Sequence, residues 1–346
     1  MGKRTITPSG EKFLPLEFLR FIMAIGICYA HLLSKLTQKF IDLDFKPIFS
    51  GASHATFAVP AFFIISGFFL KSDGELGDFV AKKIIRLWPM LACSILIHIG
   101  NGYDLLGLLF LNDGLGIINK TNANPAIWYV CVLFWVLICF YLFLKYTDIK
   151  KQVLTLILIS YFALFLICHR GSSYNQVVAP FLTLGVVYGI FGVSFGILFR
   201  KFWQASHKLF DNLQNEKIIF TILEVILVGG FIYVSAFYKG FLHPLCYILL
   251  FTAVFYVILL AKGFISTIFA KLSVLGRYSY SMYLMQFPCF YFMNKWLWNN
   301  FQTSNRFTII LVSLAVCGLS GGGYHLIEIP LGRRLKVIYE KIKVRM

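Results

Sequence analysis

The stretch LPLEFLRFIMAIGICYAHLLSK, residues 14–35, decides the fold. An α-helix rises ~1.5 Å per residue, so about 20 mostly apolar residues cross the ~30 Å hydrocarbon core of a bilayer. Residues 14–35 meet that length with few ionisable side chains inside it. Basic residues precede it (Lys3, Arg4 and Lys12), as they would in a secretory signal. Its apolar run exceeds the ~7–15 residues of a signal h-region, and no small-residue cleavage site closes it. The segment is therefore expected to be retained as a first membrane span.

Working outward, nine further segments have the same character: 55–71, 87–111, 126–146, 152–169, 179–200, 218–238, 244–262, 273–293 and 307–329. The third is interrupted by Asn101-Gly102-Tyr103-Asp104, which suits a broken helix or a span followed by a short interfacial helix. Composition agrees with this reading. Apolar residues make up 59% of the 346 and charged residues 14%, well below the ~25% of a soluble chain. Mean hydropathy is +0.77. The expected fold is an all-α integral membrane protein of about ten transmembrane helices, forming one transmembrane domain over residues 1–346. Neither an appended soluble domain nor an internal repeat is evident.

Lys and Arg set the orientation, because cytoplasmic loops carry the excess of both. With the N-terminus inside, 23 of the 32 fall on the cytoplasmic side and eight on the other, with Arg20 inside the first span. The cytoplasmic set includes Lys71, Lys82, Lys83 and Arg86 after the second segment, and six in the tail after Pro330. Both termini are thus expected in the cytoplasm, which requires an even number of spans. The net charge of +17 is explained by topology and by contact with anionic membrane lipid, so nucleic acid is excluded as a partner. The eight cysteines lie in apolar runs without a CxxC pair, so neither a disulfide framework nor a metal site is expected.

Ionisable groups inside a span are costly and tend to mark function. The first span holds Glu17, Arg20 and His31. Glu17 and Arg20, three apart, are neighbours on a helix surface. Arg20 and His31 are eleven apart, close to three full turns, so they share a face and stand about 16 Å apart along the axis. Glu17–Arg20 also fits an interfacial ion pair, and His31 a histidine bonded to a backbone carbonyl. In the second segment, Ser66-Gly67 suits close approach of two helices. The loop expected after it, Phe79 to Pro89, presents Lys82, Lys83 and Arg86 beside Trp88, a set able to grip phosphates as well as to fix topology.

Taken in order, these elements resemble the membrane acyltransferase-3 family, polytopic bacterial proteins that O-acylate carbohydrates and related surface molecules. Arg20, ten residues, then His31 resembles the family's Arg-x10-His signature. Phe62-Phe-Ile-Ile-Ser66-Gly-Phe68-Phe-Leu is similar to its Ser-Gly-Tyr-Phe element, with Phe68 for Tyr. Lys83-Ile-Ile-Arg86-Leu-Trp-Pro is similar to its Arg-x-x-Arg motif, with Lys83 for the first Arg. Pro125-Ala-Ile-Trp128-Tyr129, Gly276-Arg-Tyr-Ser279-Tyr-Ser-Met-Tyr283-Leu and Glu328-Ile-Pro330 resemble its remaining motifs, so the likeness covers essentially the whole chain. Gln286 stands where many relatives have His, and no acid/base role is assigned to it.

The resemblance implies an O-acyltransferase of the bacterial cytoplasmic (inner) membrane. It uses acetyl-CoA or another acyl-CoA as co-substrate, has no bound cofactor, and acylates a hydroxyl of a cell-surface glycan or lipid-linked sugar. Lys83 and Arg86, with Arg20, would hold the donor, and His31 would be the general base, since an imidazole titrates near working pH. Arg20 is also a candidate for the oxyanion. Glu17, Ser66, Trp128, Tyr129, Ser279, Tyr283 and Glu328 are expected in support. Ser66, Ser279 and His31 are each conceivable acyl carriers, and direct transfer is equally open. An alternative from another class is a glycan or lipid transporter or flippase whose pathway Arg20 and His31 line.

Overall fold

The computed structural model describes residues 13–37, 52–100, 102–116, 123–170, 173–179, 182–211, 215–237, 243–296 and 306–345. Lys3, Arg4, Lys12, Lys39, Lys46, Lys120 and Lys239, all counted for topology, lie outside them. Helix dominates the described residues, and their strands form one short antiparallel pair, β1 (Val177–Ala179) with β2 (Leu182–Thr183).

Helices overlie the ten apolar segments: α1 (Leu14–Thr37), α2 (Ala52–Phe68), α3 (Leu76–Ile97), α4 (Ile127–Tyr146), α5 (Ile149–Arg170), α6 (Leu184–Ser206), α7 (Glu216–Phe237), α8 (His243–Leu260), α10 (Ser279–Trp296) and α11 (Arg306–Gly323). The short α9 (Phe264–Lys271) and the C-terminal α12 (Ile329–Arg345) complete the set. By length and apolarity, five helices among the described residues can each cross a membrane, or six if the bent pair α8–α9 counts as one span. The protein is therefore a multi-pass, all-α membrane protein.

Burial sorts the helices. α4 is apolar on every side and buried without interruption from Ile127 to Phe134, so it belongs to the centre. α7 is equally apolar but exposes Ile218, Ile222, Val225, Ile226 and Tyr233, the surface a peripheral helix offers to lipid. α2 and α6 make the closest seam. A Cβ on Gly67 would lie 2.2 Å from the Val193 carbonyl oxygen, and one on Gly196 would lie 2.1 Å from that of Ile64. Only glycine at these two positions lets the backbones meet, which is the small-residue packing that drives association where lipid is as apolar as the side chains. The same seam sets the depth of Ser66, the neighbour of Gly67.

Two boundaries differ from the sequence expectation. Phe79 to Pro89 is not a loop: α3 begins at Leu76, eleven residues before the expected start of its apolar segment. The cations hid these turns from a hydropathy reading, although Lys83 and Arg86 fall three apart on one face. Pro89 is accommodated inside α3 and leaves the Ile85 carbonyl without its helical donor; Gly332 of α12 packs there, its Cβ position 3.6 Å from that oxygen. The third segment does break, α3 ending at Ile97 and a 3-10 turn starting at Gly102; Asn101 lies outside the described residues. Asp104 is buried and accepts from the Gly100 N–H at 2.7 Å and the Ala123 N–H at 2.9 Å, tying the 3-10 turn Gly102–Leu109 to the approach of α4.

The bend of 73° between α8 and α9 has a clear cause. Glu224 of α7 is buried, and its carboxylate accepts from the N–H groups of Ile265 at 2.7 Å and Ser266 at 3.2 Å. The Thr221 hydroxyl takes that of Phe264 at 3.0 Å. Three of the four donors orphaned at a helix start are thus satisfied from a neighbouring helix. α9 then packs on α1, with Phe269 edge-on to Phe18.

Candidate active site

α1 is held in place through its first turns by the 3-10 turn Ser273–Tyr278 that leads into α10. At Gly276 a Cβ would lie 2.4 Å from the Glu17 carbonyl oxygen, so glycine is what permits the approach. That contact fixes the backbone from which Glu17 and Arg20 project. Their ion pair forms at 3.3 Å.

Facing them, α3 contributes Lys83 and Arg86. Neither has a carboxylate within ion-pair distance among the described residues; the Lys83 ammonium lies over the Phe79 ring, 5.1 Å from its centroid. Arg86 interacts electrostatically with Arg20, Glu17, Glu328 and Tyr280, yet its side chain is exposed. It lines an open cavity between these helices.

That cavity has a volume of about 330 Å³. Glu17, Arg20, Lys83 and Arg86 supply its charges, a net excess of two positive, and Ser66, Tyr129, Ser279, Tyr280 and Tyr283 its hydroxyls. The hydroxyls are oriented by local structure. Ser66 donates to the Phe62 carbonyl at 2.8 Å, Ser279 to that of Gly276 at 2.8 Å, and Tyr280 to that of Leu87 in α3 at 2.6 Å. Glu328 does not line the cavity. It accepts from Ser281 at 2.7 Å, pinning the π-helical turn Tyr324–Glu328 to α10 behind the cavity wall.

His31 is not among the lining residues. Its Nδ1 is 2.9 Å from Oε1 of Gln286, and its ring packs against Phe287 at 4.9 Å. The amide orientation follows from a second bond: Gln286 Nε2 donates to the Tyr283 carbonyl at 2.7 Å, and a carbonyl only accepts. Oε1 therefore faces His31, and Nδ1 donates to it. Tyr283 links the two regions: its side chain lines the cavity, edge-on to Tyr129 at 5.4 Å, while its carbonyl orients Gln286.

Eight of the residues singled out from the sequence thus meet at one cavity: Glu17, Arg20, Ser66, Lys83, Arg86, Tyr129, Ser279 and Tyr283. Trp128 does not. It stacks on Tyr174 at 4.7 Å, away from the cavity, because Trp128 and Tyr129 point to different sides of α4. Phe68, which stands in place of the family's Tyr, is also absent from the lining; it packs among Phe13, Phe199, Trp203 and Phe255. Gln286, Tyr280 and Gly276 were not assigned from the sequence. Gly276 was legible as part of the Gly-x-x-Ser stretch, whereas Gln286 gains its meaning only from a partner 255 residues away.

Several apolar helices thus surround a cation-rich cavity lined by ordered hydroxyls. The family model described as an acyltransferase domain matches residues 14–322, nearly the whole chain. The protein belongs to the membrane acyltransferase-3 family, whose chemistry is acyl transfer. No curated protein and no solved structure matches it.

Proposed function

We propose that this protein is an O-acyltransferase that takes an acetyl group from acetyl-CoA on the cytoplasmic side and places it on a hydroxyl of a cell-surface glycan or lipid-linked precursor. The observation that carries the reading is the cavity in which Arg20, Lys83 and Arg86 converge, with Glu17 the one acid among its lining residues. Lys83 and Arg86, with no carboxylate in ion-pair distance among the described residues, suit the phosphates of CoA. A volume of about 330 Å³ is near the lower end of the ~300–1,000 Å³ typical of ligand sites, so it suits the pantetheine arm and one phosphate, with the nucleotide at the mouth.

In this reading the chain has ten spans, both termini face the cytoplasm, and the membrane is the bacterial inner membrane. Arg20 and His31 then stand at opposite depths of α1. The acceptor hydroxyl gives its proton to Nε2 of His31 as its oxygen attacks the thioester carbonyl. A C–O bond forms, the C–S bond breaks, and the CoA thiolate leaves with a proton returned from the imidazolium. A separation of about 16 Å keeps Arg20 from touching the same oxyanion as His31, so Arg20 serves donor binding. To reach His31 the acyl end passes the Tyr129–Tyr283 pair.

The test is transfer of labelled acetyl from acetyl-CoA by the purified, reconstituted protein, together with mass spectrometry of surface glycans from cells with and without the gene. The reading expects an acetylated glycan that disappears with the gene. Flux of a glycan lipid across liposomes without any acyl donor would instead establish the transporter reading.

A further inference from the structure

The C-terminal α12 is not part of the cavity, and acyl transfer does not account for its surface. It carries Arg333, Arg334, Lys336, Lys341, Lys343 and Arg345 against a single acid, Glu340. Leu331, Leu335, Ile338 and Ile342 recur at the first, fifth, eighth and twelfth positions of one stripe. Leu331, Ile338 and Ile342 are exposed, the last two by about half. An exposed aliphatic stripe on so basic a helix is out of place in water.

One flank of the helix is already used. Gly332 meets the Ile85 carbonyl, and Tyr339 and Lys343 both bond to Asp78 in the first turn of α3, Lys343 at 2.7 Å. On the other flank Arg334 and Lys341, seven apart, are exposed and have no ion-pair partner among the described residues. The stripe therefore lies between cations, and the helix follows directly from α11 through Tyr324–Glu328, where Leu326 is also exposed.

From these features we infer that α12 is a membrane-surface helix that seats its aliphatic stripe in the bilayer interface and binds the anionic phospholipid headgroups of its leaflet through Arg334 and Lys341. The occupant is set by charge complementarity, six cations against one carboxylate, and by position directly after the apolar helix α11. A soluble protein groove would satisfy the stripe but would not call for a cationic rim. Because α12 grips α3 at Asp78 and Ile85, headgroup binding also steadies the helix that carries Lys83 and Arg86. This inference needs only the membrane reading and stands apart from the acyl-transfer proposal.

The experiment is amide hydrogen exchange of the full-length protein in nanodiscs of phosphatidylcholine alone and of phosphatidylcholine with phosphatidylglycerol. Slower exchange across residues 329–345 is expected with the anionic lipid, reversed by high salt. The double variant Arg334→Glu/Lys341→Glu should lose that difference, since each basic residue near an anionic surface changes binding about fivefold. Ile338→Ser should raise exchange in both lipids. Equal exchange in the two lipids, or an unaltered lipid effect in the charge-reversed variant, overturns the inference. Protection that appears only on adding a soluble protein extract overturns it in favour of a protein partner.

Discussion

The two ends of α1 carry ionisable groups on one face, yet they are held in opposite ways. Arg20 projects into a cavity, paired loosely with Glu17 and faced by two further cations. His31 sits outside that cavity, with one ring nitrogen fixed by an amide that is itself fixed by a backbone carbonyl. In the proposed reaction the first arrangement leaves cations accessible to a charged donor, and the second keeps the His31 ring in one orientation. The difference teaches that sharing a helix face does not mean sharing a pocket.

The comparison can be broken most sharply at His31. His31→Ala should reduce acyl transfer by about 10²–10⁴-fold, the usual scale of a lost general base, with the melting temperature and CoA affinity near those of the parent. Equal activity would remove it from the chemistry. At the other end, Arg86→Ala removes a charge-assisted bond worth ~1.5–3 kcal/mol and should weaken CoA binding about 10–100-fold by calorimetry. If His31→Ala weakened CoA binding as much as Arg86→Ala, the division between the two ends would collapse.

Gln286 sharpens the contrast. Gln286→Leu removes the acceptor that Nδ1 of His31 meets in Gln286 and should lower kcat about tenfold at unchanged KM. Gln286→Glu retains an acceptor for Nδ1–H and should keep more of the rate, with an altered pH profile. A purely structural role for Gln286 would lower both variants together and leave the profile unmoved.

The smallest effect belongs to the α3–α12 contact. Hydrogen bonds from Lys343 and then Tyr339 hold the Asp78 carboxyl below the usual carboxylate range. A carboxylate depressed in the folded state adds stability above its unfolded pKa and loses it as pH falls through the folded value. Because the pair is exposed, the contribution is small. The difference in melting temperature between the parent and Asp78→Asn should therefore be slight at pH 7 and vanish in acid. A difference that persists at acid pH would show that Asp78 acts through something other than its charge.

Much of the fold was legible because a bilayer imposes a simple rule: uniform apolar length where lipid is the solvent. That rule found the α4 and α5 segments nearly to the residue. It failed where helices lie against protein or at the interface. The early turns of α3 carry cations, α9 is eight residues long, and α12 is basic, so none reads as an apolar run. The cavity was partly legible in the same way. Lys83 and Arg86 are three apart and so shared a face in the sequence, but that this face meets Arg20 and Glu17 depends on Gly276 and the packing of α10.

The sequence by itself determined that the chain enters a membrane, that Arg20 and His31 share a face, and that its ordered motifs resemble one family. These are properties of composition and of local periodicity, which a helix expresses whatever surrounds it. Only the tertiary structure decided that Arg20 lines the cavity and His31 does not, that Trp128 turns away from Tyr129, and that Gln286 accepts from Nδ1 of His31. Those outcomes rest on contacts between residues far apart in the chain, and helical periodicity cannot report which neighbour a face will meet.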